Sequence, residues 1–370
     1  MSNRRRLIFP MWTGVRLVPW IQRLAKHGFR IAPSRIPRAL FITVSSAVGE
    51  VLAFMQWFIW GFALNQSTIE SHPIIIVGHW RSGTTLLHEL LACDQRLCAP
   101  TTAQCACPSH FVLSEQFAHD WLGALLPEHR PMDQMPMGYH KPQEDELALC
   151  NLGVPSPWWA VAFPNEPIPD SDYKELENVT SLSRQQWIRA WTTFLRHIQY
   201  EHRGRLLLKN PLHSYRIPLI TEIFPETHFV HIVRDPYELV PSCLHFWKTM
   251  FDQYGLQQAT CERLEDEVFS SILAMHQRLT DTWDQLSSTS RLRIRYDHLV
   301  QHPIRTLRRL YSHFQWPGVA DALPKWEAYL IGQQDYQPNK HTLDNRLRDR
   351  ITTQLAAVIR QYEYSSTGDA

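Results

Sequence analysis

The segment that most restricts the fold is PIIIVGHWRSGTTLLHELL, residues 73–91, because three local signals follow one another in it. An apolar run with the length of a buried strand ends at Gly78, and leucines at helical spacing begin after Thr84. Glycines at 78 and 83 permit a tight turn between the two elements. A strand, a glycine-containing turn and a helix in this order aim backbone N–H groups at one point, which predicts an anion-binding site.

Further apolar runs have the length and the boundaries of buried strands: RLLLK (205–209), HFVHIV (228–233) and RLRIRY (291–296). Segments with helical periodicity lie between them, so the sequence predicts an α/β fold with a P-loop-like central parallel sheet flanked by helices. Residues 94–204 carry helical patterns and many prolines but no convincing strand. We interpret them as a mainly helical insertion over the strand ends, where open α/β sheets bind ligands.

The loop departs from G-x-x-x-x-G-K-[ST], the pattern that binds nucleoside triphosphates. Gly78 and Gly83 have the required spacing, but Thr84 stands where the lysine would be. A β/γ-phosphate pair with magnesium would therefore lose its main side-chain cation. The loop offers one guanidinium and three hydroxyls instead: Arg81, Ser82, Thr84 and Thr85. We expect it to bind a smaller anionic group.

A second candidate anion site follows the run HFVHIV. Arg234 ends this run, Pro236 suits the first turn of a helix, and Ser242 lies eight residues after Arg234. Eight helical residues make about two turns, so Arg234 and Ser242 can face one phosphate. An arginine at a strand end is also an ordinary salt-bridge partner, for which Asp235 is the nearest acid.

Together and in this order, the two motifs resemble those of sulfotransferases that use 3′-phosphoadenosine 5′-phosphosulfate (PAPS). The resemblance implies PAPS as co-substrate, without a metal, and a 5′-phosphosulfate held by Arg81, Ser82, Gly83, Thr84 and Thr85. It implies that Arg234 and Ser242 hold the 3′-phosphate. A basic C-terminal loop closes over that phosphate in relatives, which implies Lys340 as a further contact.

The resemblance extends over roughly residues 72–345 and includes a P-Q-E-D-E segment of the bacterial type. It implies a sulfotransferase domain over 71–345, preceded by a basic and apolar segment (1–70) and followed by a C-terminal helix and tail (346–370). The strand ending in LLLKNP resembles the Lys-x-Pro strand of the family, which places Lys209 against the transferred group.

The general base is less defined, because CAPTTAQCACPSH contains no acid where many relatives carry a glutamate or histidine. The acidic cluster Glu144, Asp145 and Glu146 in KPQEDELAL is one candidate, with Glu144 ahead of the other two, since a carboxyl in an apolar lid can have its pKa raised toward neutrality. Acids in the first turn of a helix also simply complement the macrodipole. His213 and His88 are competing candidates.

The N-terminal region suggests contact with a membrane. Residues 1–49 contain nine lysines or arginines and no acid, and residues 39–64 are apolar around Glu50. Such a stretch can pack on the protein's own core, dock at an interface or span a bilayer, although a central glutamate costs about 3 kcal/mol on insertion. We expect a cytoplasmic, peripheral enzyme rather than a single-span one.

Composition excludes some classes. The net charge of +1 argues against a nucleic-acid binder, and seven cysteines suggest reduced thiols rather than a disulfide framework. Cys98, Cys105, Cys107 and His110 do not have zinc-site spacing, so no metal is expected. The resemblance implies an acceptor with a hydroxyl or amine, and we expect it to be a small molecule, a lipid or a carbohydrate. Two alternatives remain: a P-loop kinase or NTPase, and an inactive PAPS-binding protein at the membrane.

Overall fold

A computed structural model describes residues 11–115, 130, 132–133, 135–136, 138–168, 170–334 and 342–364. The chain divides into two compact units. The first comprises residues 1–71, 98–206 and 249–261, and the second comprises residues 72–97, 207–248 and 262–370.

The sheet has five strands: β1 (Ile74–Val77), β2 (Leu97–Cys98), β3 (Arg205–Lys209), β4 (His228–Val233) and β5 (Arg291–Arg295). Their order is β2-β3-β1-β4-β5, and the pairs β1–β3, β1–β4 and β4–β5 are parallel. This confirms the predicted α/β fold. Every residue of β1 is buried, as expected of a central strand covered on both faces.

The expectation that residues 94–204 contain no strand was wrong at one point. Leu97 and Cys98 form a two-residue strand at the edge of the sheet. Two residues are too few to produce a periodic or continuous apolar pattern, so the sequence carries no signal for such a strand.

The helices of the second unit follow the strands: α3 (Thr84–Ala92), α7 (Ile217–Ile223), α8 (Pro236–Tyr254, whose last turn belongs to the first unit), α9 (Leu264–Trp283), α10 (Tyr296–Gln301), α11 (Pro303–His313), α12 (Val319–Gly332), α13 (Asn345–Gln354) and α14 (Ala356–Gln361). A short 3-10 helix, Pro211–Ser214, follows β3. Because the strands are parallel, the segments after β3, β1 and β4 lie next to one another at the carboxyl edge of the sheet.

The first unit is helical: α1 (Leu17–Lys26), α2 (Ile36–Gln66), α4 (Thr102–Ala106), α5 (Asp145–Asn151) and α6 (Ser181–Glu201), with helical residues 111–115. Its core is rich in tryptophan. Trp12 and Trp159 are fully buried and stack with ring centroids 4.5 Å apart. Trp159 is therefore a core residue.

Candidate functional site

The loop between β1 and α3 is shaped by two glycines. Gly78 has φ 140°, and a Cβ there would lie 2.5 Å from the Ile232 carbonyl oxygen. Its N–H donates to Ser214 Oγ at 2.9 Å. Within the loop, Ser82 Oγ donates to the His79 carbonyl at 2.7 Å. The hydroxyl of Ser82, predicted as an anion contact, thus stabilises the turn in this structure.

Arg81 is the centre of the site. Its backbone is left-handed at φ 71°, which is strained for a residue other than glycine. Its Nε donates to Ser242 Oγ at 3.2 Å, and its carbonyl oxygen accepts a hydrogen bond of 3.0 Å from Arg234 Nη1. The two predicted anion motifs therefore meet at one residue, although they lie about 150 positions apart in sequence.

Arg234 lies between β4 and α8, and Ser242 lies on α8 and is buried. The guanidinium of Arg234 is paired with Glu238 at 2.9 Å rather than with Asp235. Asp235 accepts a hydrogen bond from the Tyr237 N–H at 2.9 Å, as a helix-capping acid does, and burial raises its pKa. Arg234 is 12% exposed and Glu238 is 59% exposed, so the carboxylate is the solvated member of the pair and an anionic ligand can compete with it for the guanidinium.

Thr84 and Thr85 are the first two residues of α3, with Thr84 buried and Thr85 half-buried. The N-terminus of this helix carries partial positive charge from the aligned dipoles of its peptide groups. Arg81, Arg234 and this helix end give the loop a positive environment that does not depend on a lysine at position 84.

Two residues that shape the site were not singled out from the sequence. Tyr296 follows β5, and its ring lies 4.4 Å from the Arg234 guanidinium carbon, a cation–π distance. The ring also covers Gly83, where a Cβ would lie 2.2 Å from Tyr296 Cδ2. Ser214 accepts the Gly78 N–H. Tyr296 is the first residue of the helix after β5, and Ser214 is the last residue of the 3-10 helix after β3. Their position just after a strand was the only sequence signal that could have pointed to them.

Lys209 is the last residue of β3 and is 3% exposed. It pairs in register with Ile76 of β1, which lies two residues before the loop. The sheet therefore brings Lys209, the loop and Arg234 to adjacent positions on one edge, after strands β3, β1 and β4. His213 lies in the 3-10 helix after β3 and is fully buried. His88 is also buried, and its Nε2 is 3.3 Å from the Leu207 carbonyl, a structural contact.

The acidic cluster lies in the first unit at the start of α5. Asp145 Oδ2 accepts from Trp191 Nε1 at 2.7 Å, and Glu146 Oε1 accepts from Ser156 Oγ at 2.6 Å. Both acids are fully buried, so they stabilise the packing of this unit. Glu144 precedes the helix and is half-buried, which makes it the most accessible acid of the three.

The predicted Lys340 lies outside the described residues. Among those that the structure describes, no group of three or more His, Cys, Asp or Glu residues could hold a metal ion. Burial raises the pKa of Cys98 to about 11 and that of Cys107 to about 12, and it lowers the pKa of His110 to about 4. These thiols are protonated at neutral pH and are small apolar core residues.

One helix in the described part of the chain, within Pro33–Gln66, is long and apolar enough to cross a membrane. One side of α2 is attached to its own unit: Glu50 forms two hydrogen bonds of 2.7 and 2.8 Å with Arg16, and Gln56 contacts residues 109 and 113. Large apolar side chains are exposed along the rest of the helix surface, which we call its apolar side: Leu40, Val44, Val48, Val51, Phe54, Trp57, Phe58 and Phe62. Phe62 is 80% exposed.

A parallel sheet whose strand–loop–helix unit joins two arginines and a serine, without the lysine of nucleoside-triphosphate loops, defines an α/β protein with a cationic candidate site at its strand ends. Comparison with known proteins gives the family. The sequence model of the sulfotransferase family matches residues 73–321, and the chain belongs to this family. It is an α/β sulfotransferase with a P-loop-like fold.

Curated relatives share most of the chain. Two mycobacterial proteins, from Mycobacterium bovis and Mycobacterium tuberculosis, are 36% identical over 364 residues, which cover 98% of this chain and 94% of each relative. Both are named omega-hydroxy-beta-dihydromenaquinone-9 sulfotransferase Stf3. Solved sulfotransferases share the fold: STF9 from Mycobacterium avium has a TM-score of 0.66 at 15% identity, covering 95% of this chain and 97% of that one.

Proposed function

We propose that this sulfotransferase takes its sulfuryl group from PAPS and transfers it to a hydroxyl of a lipid acceptor at a membrane surface. The observation that carries the proposal is the meeting of Arg81, Ser242 and Arg234 beside the loop that follows β1. A bisphosphorylated donor needs one anion site for the transferring end and one for a separate phosphate. The loop with the N-terminus of α3 supplies the first, and Arg234 with Ser242 supplies the second.

The transfer breaks one bond and forms one. The acceptor oxygen attacks sulfur, the bond from sulfur to the bridging oxygen breaks, and 3′-phosphoadenosine 5′-phosphate leaves with that oxygen. Loop N–H groups stabilise the transferring group, and Lys209 neutralises the departing oxygen. The acceptor proton goes to a base, for which Glu144 is the first candidate and His213 the second.

The apolar side of α2 supports a membrane-associated acceptor. Large aromatic and aliphatic side chains cover it. The N-terminal region also has exposed cations: the side chains of Lys26 and Arg30 are 57% and 76% exposed. Anionic lipid attracts such cations. The relatives named for a menaquinone derivative also act on a lipid. Because Arg16 and Gln56 attach α2 to its own unit, we infer that the helix docks on the membrane surface rather than spanning it.

The donor assignment is tested by calorimetric titration with 3′-phosphoadenosine 5′-phosphate and, separately, with ATP and Mg²⁺. We expect micromolar binding of the bisphosphate, weakened at least tenfold by Arg234→Ala and unchanged by Arg309→Ala, an exposed arginine on α11. Binding of ATP with Mg²⁺ in place of the bisphosphate would identify a nucleotide kinase or NTPase instead. Bisphosphate binding without sulfuryl transfer to any lipid hydroxyl would refute the lipid acceptor, and absence of transfer to carbohydrate and small-molecule hydroxyls and amines as well would identify an inactive binding protein.

Membrane docking is tested by sedimentation with anionic phospholipid vesicles. Replacing Phe58 and Phe62 together by Asp removes two exposed rings, each worth about 1.5–3 kcal/mol when buried, so we expect at least a hundredfold weaker partitioning. Leu182→Asp is the matched control, since Leu182 is 64% exposed on α6. Equal sedimentation of the double variant and the control would show that α2 does not dock.

A further inference from the structure

A groove runs along one side of α2 within the first unit. The α2 residues that line it include Glu50, Phe54, Trp57, Gly61 and Leu64, which follow one another at helical spacings of three and four. Such positions form a single stripe along a helix, so the groove is elongated in the direction of the helix axis. Its opposite wall is formed by α6, through residues that include Thr193 and His197.

The shape of the groove restricts what it can hold. Its volume is about 550 Å³, within the range of ligand sites. The stripe from Glu50 to Leu64 extends about 21 Å along the helix. A partner helix of that length, about 10–12 Å wide with its side chains, occupies on the order of 1,600 Å³, about three times the volume of the groove. A single hydrocarbon chain is much thinner, so the groove suits it better.

The lining suits an apolar chain that enters from the membrane side. Phe54 and Trp57 line the groove and are also 63% and 64% exposed, so the groove opens toward the apolar side of α2. The one acid in the lining, Glu50, is neutralised by its bidentate pair with Arg16. Burial lowers the pKa of His197 to about 4, so its imidazole is neutral at physiological pH. The groove therefore has polar groups but no uncompensated charge.

Gln56 lines the groove and also attaches α2 to a neighbouring segment of the first unit. It is 3% exposed, its amide N–H donates to the Ser109 carbonyl, and its Oε1 accepts from the Leu113 N–H at 3.1 Å. Both ends of this side chain are thus used in attaching α2 to the segment beneath. The groove keeps its width because the helix cannot collapse onto that segment without breaking these bonds.

We propose that this groove holds the hydrocarbon chain of the lipid acceptor, lying along α2 from Glu50 toward Leu64. The inference rests on the proposed function, in which the acceptor is a membrane lipid. It adds a chain-binding site on α2 that selects acceptors by their long apolar part. Acceptors whose chain is cut short lose these contacts, so we expect their KM to rise.

The test is photolabelling of the full chain in phospholipid vesicles with a geranylgeraniol analogue whose chain carries a diazirine. Adducts are mapped by peptide mass spectrometry. We expect them on α2 between residues 53 and 65 and on α6 near Thr193. Thr193→Trp fills the groove and should reduce labelling at least fivefold, whereas Arg189→Trp, on an exposed residue of the same helix, should not. Gly61→Leu is a second filling variant, in case the first does not fold.

Competition identifies the source of the chain. Unlabelled geranylgeraniol should displace the probe, and additional phospholipid should not. Displacement by phospholipid alone would refute the assignment of the bound chain to the acceptor. If the Thr193→Trp and Gly61→Leu variants are labelled as strongly as the unaltered chain, the groove does not bind the hydrocarbon chain. Binding of 3′-phosphoadenosine 5′-phosphate, measured on the same variants, reports separately on the donor function and on folding. Loss of labelling with donor binding intact supports the groove, whereas absent donor binding in the unaltered chain refutes the proposed function.

Discussion

Gly83→Ala offers a sharp test of how the anion loop is built. Gly83 precedes α3 with φ 100°, a backbone conformation that side chains disfavour. A Cβ at this position would lie 2.2 Å from Tyr296 Cδ2 and 2.8 Å from Cε2, well inside contact distance. The substitution therefore imposes two separate costs, one on the backbone and one on the Tyr296 ring.

The two costs can be estimated. A residue other than glycine in the left-handed region is destabilised by about 1–2 kcal/mol. Overpacking of the ring adds about 1–3 kcal/mol, because Tyr296 must leave its place over Arg234. We expect Gly83→Ala to lower the free energy of unfolding by about 2–5 kcal/mol in total. The displaced ring also releases Arg234, so affinity for the bisphosphate should fall.

Urea denaturation separates the backbone cost from the steric cost when it is applied to four proteins: the unaltered chain, Gly83→Ala, Tyr296→Ala and the double variant. Without the Tyr296 ring, Gly83→Ala should retain only its backbone cost of about 1–2 kcal/mol. Gly332→Ala is the control, since a Cβ there meets no atom within 4 Å. The steric reasoning is refuted if Gly83→Ala costs the same with and without Tyr296, or if it costs no more than the control.

Three further predictions concern catalysis and acid stability. Glu144→Gln should lower kcat by about 10²–10⁴ if Glu144 is the base. Asp145→Asn keeps an acceptor for Trp191, so it should lower kcat less than tenfold. A larger loss of kcat in Asp145→Asn than in Glu144→Gln, or a loss only in His213→Gln, would reassign the base. Lys209→Ala should lower kcat by about 10²–10³ while bisphosphate affinity changes little, and equal losses in both would make Lys209 a binding residue. The hydrogen bond from Arg16 holds the pKa of Glu50 in the folded protein below its ordinary value of 4.5. The pair therefore stabilises the fold above about pH 4.5, and this contribution is lost as the pH falls through the pKa that Glu50 has in the folded protein. Urea denaturation across that range should show a weaker acid dependence for Glu50→Gln, and an unchanged dependence would contradict the pairing.

The sequence predicts the site where its signals are local. The strands around Ile75 and Leu207 contain continuous apolar runs, those around Val230 and Ile294 are short segments rich in apolar residues, and the spacing of Arg234 and Ser242 follows from helix geometry. The contacts of Tyr296 and Ser214 were not predictable, because they join residues that only the sheet order brings together.

Charged groups show the same limit. Glu50 in an apolar stretch suggests a cost of insertion, yet its partner Arg16 lies 34 residues earlier on another segment. Asp145 and Glu146 lie in the first turn of a helix, but their partners Trp191 and Ser156, which lie 46 and 10 residues further along the chain, make them part of the core. Local patterns give the type of a residue and its element, whereas its role depends on what the fold places opposite it.

The loop without the P-loop lysine follows the same rule. A lysine at position 84 would reach the anion from the helix, as a flexible point charge. Here the cations are Arg81 and Arg234. Arg234 is held by its hydrogen bond to the Arg81 carbonyl, and Arg81 is held by the hydrogen bond from its Nε to Ser242 on α8. The left-handed backbone of Arg81 costs about 1–2 kcal/mol, and it is tolerated because the contacts on both sides of the residue hold it. The strain and the orientation of the two guanidinium groups therefore have one cause, so a change that relaxes Arg81 would also release both guanidinium groups from their present orientation.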